Sequence, residues 1–267
     1  MHGRTPPVTP ARVMALVVVL TGTAAWLGVS QAPTTSNRPG WARLVHSTTA
    51  AGSLAFSSVT VTSGAVNSVE RDRGLIDFSR RDATEVSVVR SRQLSAQWNE
   101  VAVVGSTAYE RSGTDLPDGH RFEGAWTRLA TFAVAPLPAL VGSDRGAVPI
   151  GGPTLTRVAT ATIGDTTTVE YRLSPVSITC LDANGGRRVE MVESSAWVDA
   201  QGRIRRFADL TTVAVGSFKS TVFTVTDFGR FGTAVSVTAP NLVGGSDATR
   251  STDPGTDALA GCLVTPR

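Results

Sequence analysis

Residues 166–173 read TTTVEYRL, and this stretch decides the fold class. Val169, Tyr171 and Leu173 fall on one side of an extended chain, and Thr168, Glu170 and Arg172 on the other. Successive side chains of a strand point to opposite faces, so a period of two marks an antiparallel strand with one buried face. The same period appears further out. Val59 and Val61 alternate with Thr60 and Thr62, and Val86 and Val88 alternate with Glu85 and Ser87. Turn chemistry separates the runs. Asn184-Gly185 accommodates positive φ and marks a tight hairpin. Asp199 and Gly202 stand where a type I turn favours them, and LPDGH at 116–120 is another turn. About nine to eleven strands follow from this punctuation.

Helical signals are few. From Gly40, WARLVHSTTAAGS predicts a short helix with Trp41, Leu44 and Val45 on one face. The stretch TFAVAPLPALVGSDRG, 131–146, fits either a short helix near 138–141 or an extended covering strand. The expected class is α+β, a single domain dominated by an antiparallel meander.

Composition agrees. The chain has 267 residues, 41% of them hydrophobic, which is enough for one domain with a sizeable core. Valine, threonine and serine are abundant, as strands prefer. The net charge of +3 owes two units to Arg4 and Arg12; beyond residue 32, 23 basic residues face 22 acidic ones. Nucleic-acid binding needs a concentrated basic face, and none is legible. Lys219 is the only lysine.

Arg4 and Arg12 precede VMALVVVLTGTAAWLGV, 13–29, which carries no charge. A basic flank before an apolar run is the pattern of an export signal. Residues 1–32 read as a cleaved signal peptide, with Ser30-Gln31-Ala32 at the cleavage spacing, or as an uncleaved membrane anchor. Either places the domain outside the cytoplasm, secreted or anchored. Residues 33–40 form a linker and 41–240 the domain. Residues 241–267 form a polar tail, flexible over 241–261 and tied back by Cys262. Cys180 and Cys262 are the only cysteines, and in an exported chain an even count predicts a disulfide between them. No cysteine follows the apolar run, which excludes lipoprotein acylation.

The search for chemistry excludes more than it finds. His46 and His120 are the histidines outside the leader, and neither belongs to an H-x-x-x-H or H-E-x-x-H spacing. No C-x-x-C is present, so no metal site is expected. The domain lacks a G-x-S-x-G elbow and a phosphate-binding loop. Asp227-Phe228-Gly229 has none of the partners phosphoryl transfer requires. It belongs instead to VTDFGRFGTAVSVTAP, 225–240, which reads as a hairpin: a strand ending at Asp227, a turn loosened by Gly229 and Gly232, and a second strand stopped by Pro240. Phe228 or Phe231 would pin it to the core. Glu190 and Glu193 form a carboxylate pair only if the fold brings them across a cleft. GRIRRF, 202–207, reads as the solvated face of an edge strand, or as a contact for anionic headgroups. No cofactor and no catalytic residue is expected.

Several segments, in order, resemble the exported LolA-like lipid-binding proteins of the LppX and LprG type. They are GLIDFSRRDA (74–83), VAVVGSTAYER (101–111), GAWTRL (124–129), SAWVDAQGRIRRF (195–207) and VTDFGRFGTAVSVTAP (225–240). The resemblance implies a curved antiparallel half-barrel with a few helices covering its concave face. It also implies a hydrophobic cavity for lipid or another amphiphile, held without catalysis. The cavity would be lined by Val169, Tyr171, Leu173, Phe223, Val225, Val235 and Val237, with Trp126 over its opening. The lipobox cysteine of those relatives is missing. The competing expectation keeps the fold but fills the core: a membrane-anchored interaction or sensor module that holds no ligand and meets an envelope protein or a membrane surface.

Overall fold

A computed structural model describes residues 40–64, 67–91, 95–114, 124–129, 153–181, 187–242 and 262–266. The expectations for the leader, the 131–146 segment, His120, the two turns at 116–120 and 184–185, and the tail to 261 lie outside these residues.

Trp41–Thr49 form α1. Its apolar positions recur at helical spacing, so Trp41, Leu44 and Thr48 are buried while His46 faces solvent. The strands are β1 Ser53–Ser63, β2 Ser68–Asp77, β3 Asp82–Ser91, β4 Gln97–Val104, β5 Thr107–Gly113 and β6 Thr127–Leu129. They continue with β7 Leu155–Ile163, β8 Thr166–Leu173, β9 Val176–Leu181, β10 Arg187–Asp199, β11 Ile204–Val215, β12 Phe218–Gly229 and β13 Cys262–Pro266. All join one open, curved antiparallel sheet, ordered β13-β9-β10-β11-β12-β1-β2-β3-β4-β5-β6. Two meanders, β1–β6 and β7–β12, meet where β1 pairs β12.

Among the described residues there are 13 strands, against the nine to eleven expected, and α1 is the single helix. One reason is Ser174-Pro175. Proline has no N–H for the ladder, so it splits one long strand into β8 and β9. Both still pair with the same edge of β10, β8 along its C-terminal half and β9 along its N-terminal half. Beyond them, β7 extends the sheet at β8 and β13 extends it at β9.

The predicted turn at 199–202 forms as read. The Gly202 N–H donates to the Asp199 carbonyl at 2.9 Å, and the Asp199 carboxylate accepts from the Gln201 and Arg203 amides at 3.0 Å. The hairpin over 225–240 does not form. β12 runs on to Gly229, the chain turns with positive φ at Arg230 (49°) and Gly232 (72°), and 233–240 is in no ladder. The Gly232 amide donates to the Ser53 carbonyl at 3.0 Å and the Ser53 hydroxyl to the Thr233 carbonyl at 2.5 Å. These bonds lead the segment towards the start of β1 rather than back along β12. Gly229 itself has ordinary strand geometry with open space beside it, so only Gly232 serves as a conformational glycine.

The core lies under α1. Trp41 and Leu44 pack with Leu54, Phe56, Ile76, Leu173, Ala196, Ile204, Phe207 and Phe228, and Phe231 adds to the rim. Trp41 meets the Phe207 ring at 5.8 Å between centroids. Thr48 seals the contact: its hydroxyl donates to the Leu44 carbonyl at 2.7 Å and accepts the Ile204 amide at 2.9 Å.

Candidate functional site

Cross-strand register sorts the sheet into a helix side and an outer side. On the helix side, one end is apolar: Leu54 pairs with Ile76, Ile76 with Ala83, and Ala83 with Val103. Further along the same strands that side becomes polar. Ser58 and Thr226 share a hydrogen bond of 3.1 Å, as do Thr60 and Thr224. Glu70 and Asp72 of β2, Glu85 of β3, Glu110 of β5, Asp209 of β11 and Glu190 of β10 share this side by register. Of these Glu110, Asp209 and Glu190 are buried.

Three of the carboxyls sit on neighbouring strands. Ser87 lies opposite Asp72 and donates to Glu70 at 2.8 Å; Glu85 lies opposite Gly74, one step along. Burial pushes the Asp72 carboxyl up to about 7, with the charge of Glu70 adding and a Ser87 hydrogen bond opposing. Burial raises Glu85 to about 7 as well, reinforced by Asp72 and Glu70. Glu70 is raised by burial against the Ser87 hydrogen bond. Neighbouring acids on a half-buried face resist ionising together. Arg71 and Arg73 project from the other side of the same strand, so they do not neutralise the acids.

Among the described residues this row joins no catalytic set. His46 is on the exposed side of α1, and among the described residues no group of three or more His, Cys, Asp or Glu is placed to hold a metal ion. Glu190 is buried on the helix side while Glu193 is exposed on the outer side, so they do not face a common cleft. The GRIRRF arginines are occupied structurally, Arg203 in the turn before β11 and Arg205 and Arg206 on β11, an interior strand rather than an edge. Arg203 bonds Asp199 at 2.9 Å, Arg205 lies over the Phe231 ring at 5.1 Å, and Arg206 grips Asp227.

Of the expected cavity residues, Val169, Tyr171 and Leu173 share the helix side of β8, and Phe223 and Val225 do not join them. Tyr171 and Leu173 are on the helix side within or against the packed core, and Val169 pairs with buried Val198. Phe223 and Val225 point to the outer side, opposite Val61 and Val59, because the alternating threonines of β12 take the helix side to meet Ser58 and Thr60. Val235 is buried and Val237 half-buried in the unpaired segment after β12. Trp126 lies next to edge strand β6 beneath the Arg111 guanidinium, 4.7 Å from its ring. Arg111 pairs with Glu100 at 2.7 Å on the outer side, which takes Trp126 away from any opening on the helix side. Cys180 and Cys262 are direct partners in the β9–β13 ladder.

The Asp227 carboxylate holds Arg206 through two bonds, 2.6 and 2.9 Å, across β11 and β12. That gives the Asp-Phe-Gly stretch an architectural role, with Phe228 buried in the core. Because the pair is partly exposed, Asp227→Asn should cost no more than about 1 kcal/mol in urea unfolding. A loss well beyond that would assign Asp227 a larger role.

Sequence reasoning missed the acidic row, although a signal was present. In SVERDRG, 68–74, acids and arginines alternate with period two, which sends Glu70 and Asp72 to one face and Arg71 and Arg73 to the other.

No family model matches the chain, and no curated protein sequence matches it. Among solved structures, a crystal structure of a LolA superfamily protein from Nitrosomonas europaea is similar at a TM-score of 0.25 and 10% identity. The match covers 70% of this chain and 88% of that one. A likeness at that level does not establish a shared fold.

Proposed function

We propose that this protein is a non-catalytic interaction module of the cell envelope, extracytoplasmic, and either secreted or anchored by its N-terminal apolar run. The observation that carries this reading is the division of the helix side. Its apolar end is occupied by Trp41 and Leu44 of α1, and further along the same side hydroxyl and carboxyl groups interrupt the valines, Glu70, Asp72 and Glu85 among Val89 and Val101 and Glu190 beside Val213. A lipid carrier of the LolA-like kind, which the sequence resemblance implies, needs an apolar void on that side. Acyl chains gain nothing against carboxyl groups, whose desolvation is costly. Binding then falls to the surfaces of the sheet, with an envelope protein or a membrane as partner.

The experiment is to overfill the core. Ala196 is fully buried among the residues that α1 covers. In a packed core, Ala196→Leu should lower stability by about 1–3 kcal/mol in urea unfolding. Unchanged or raised stability would reveal room for an acyl chain and return the carrier reading.

A disulfide between Cys180 and Cys262 belongs to the same proposal. Antiparallel partners lie about 4.5–5.5 Å apart at Cα, inside the range of about 4.4–6.8 Å that a disulfide spans. Alkylation of the denatured, unreduced protein should label neither cysteine; labelling of both would rule the bridge out.

A further inference from the structure

The central strands are inverted. Beyond Phe56 and Phe228, Ser58, Thr60, Thr224 and Thr226 take the helix side, and Val59, Val61, Phe223 and Val225 of the same strands take the outer side. Val61 lies opposite Phe223 and Phe223 opposite Leu210, while Val59 lies opposite Val225 in the next row. Phe223 is 45% exposed and Val61 40%, with Val59 and Leu210 close behind. A contiguous apolar patch on a sheet face marks a contact surface.

Charge identifies what fits it. Arg71 lies beside Val59 in register, Arg73 one step along β2, and Arg90 opposite Val69, which itself faces Val61. All three arginines are exposed, and among the described residues no ion pair holds them. The outer acids Asp227 and Glu100 are already paired with Arg206 and Arg111; Glu193, beside Leu210, flanks the far edge. A half-exposed apolar centre with unpaired guanidinium groups along one border matches the interface of an anionic bilayer, where acyl chains and headgroup charges lie side by side. A second copy docked about a two-fold axis would set these arginines near their own equivalents, which disfavours self-association.

We propose that the outer face of β1, β2, β3, β11 and β12 docks on an anionic membrane surface, Phe223 and Val61 entering the headgroup boundary and Arg71, Arg73 and Arg90 meeting lipid phosphates. The proposal rests on the envelope reading above but fails separately from it, since it concerns the outer face and not the core. The test compares the full chain on phosphatidylcholine vesicles and on vesicles with about 30% phosphatidylglycerol, at limiting lipid. The apolar run at 13–29 and its two arginines are common to every variant and cancel in the comparison. The wild type should prefer the anionic vesicles, and the triple variant Arg71→Gln, Arg73→Gln, Arg90→Gln should lose on the order of a hundredfold of that preference. Phe223→Ser with Val61→Ser should weaken binding to the anionic vesicles at an unchanged thermal midpoint. An unaltered preference in the triple variant overturns the proposal. So does a soluble dimer that Phe223→Ser dissociates, which would assign the face to a second copy.

Discussion

Raising the pH from about 5 to about 8 should lower the thermal midpoint by roughly 5–10 °C, at constant ionic strength. The cause is the row Glu70, Asp72 and Glu85. In the unfolded chain Asp72 and Glu85 titrate near 3.8 and 4.5, but in the fold both are held up to about 7. Between those values the folded state binds more protons than the unfolded one, so stability falls as pH rises. Below about 4 both states are protonated and the advantage is fully present; above about 7 it is gone. Among the described residues the polar groups around the row on this side are Ser58, Thr60, Ser87, Asn99 and Glu110, none of them cationic. For the coupled, half-buried acids the effect is on the order of 3 kcal/mol. Asp72→Asn with Glu85→Gln should flatten the profile and raise the midpoint at pH 8. A wild-type midpoint that rose with pH would contradict the placement of these acids.

Gly74→Val should leave little folded protein, for a reason found only in the ladder. Gly74 lies opposite Phe56, whose ring covers it: an added Cβ would sit 2.5 Å from Phe56 Cε1 and closer still to the Thr84 carbonyl. The backbone carbonyl cannot step aside, and Phe56 is held in the core with Phe228. The overpacking should cost about 3 kcal/mol or more, a large part of a typical domain's stability. Circular dichroism and urea unfolding would measure it. A wild-type melt for Gly74→Val would mean that β2 pairs with β1 in another register.

Both predictions rest on which face a residue takes, and that is where the sequence was least legible. The alternation in TTTVEYRL placed Val169, Tyr171 and Leu173 correctly on one side, and WARLVHSTT gave a helix with the expected buried stripe. Period two separates a strand into two sets without saying which set meets the core. For β12, burial alone favours turning the apolar set, Phe223 and Val225, inwards. Pairing with β1 reverses the choice: Phe228 must join Phe56 under α1, and the threonines share its parity. Hydroxyl pairs with Ser58 and Thr60 then satisfy those threonines on the helix side. The hairpin ending at Pro240 failed similarly. Its glycines were visible, but the tether to Ser53 joins residues 180 positions apart and leaves no local trace. The acidic row was written plainly in SVERDRG and became a site only when β3 brought Glu85 beside it.

The claim that this is an interaction module with a filled core is tested most directly by native mass spectrometry of the full chain after gentle extraction. The account predicts the mass of the bare polypeptide once detergent is removed. A stoichiometric lipid adduct that survives gas-phase activation would contradict it, and would place an acyl chain where α1 is held to fill the sheet.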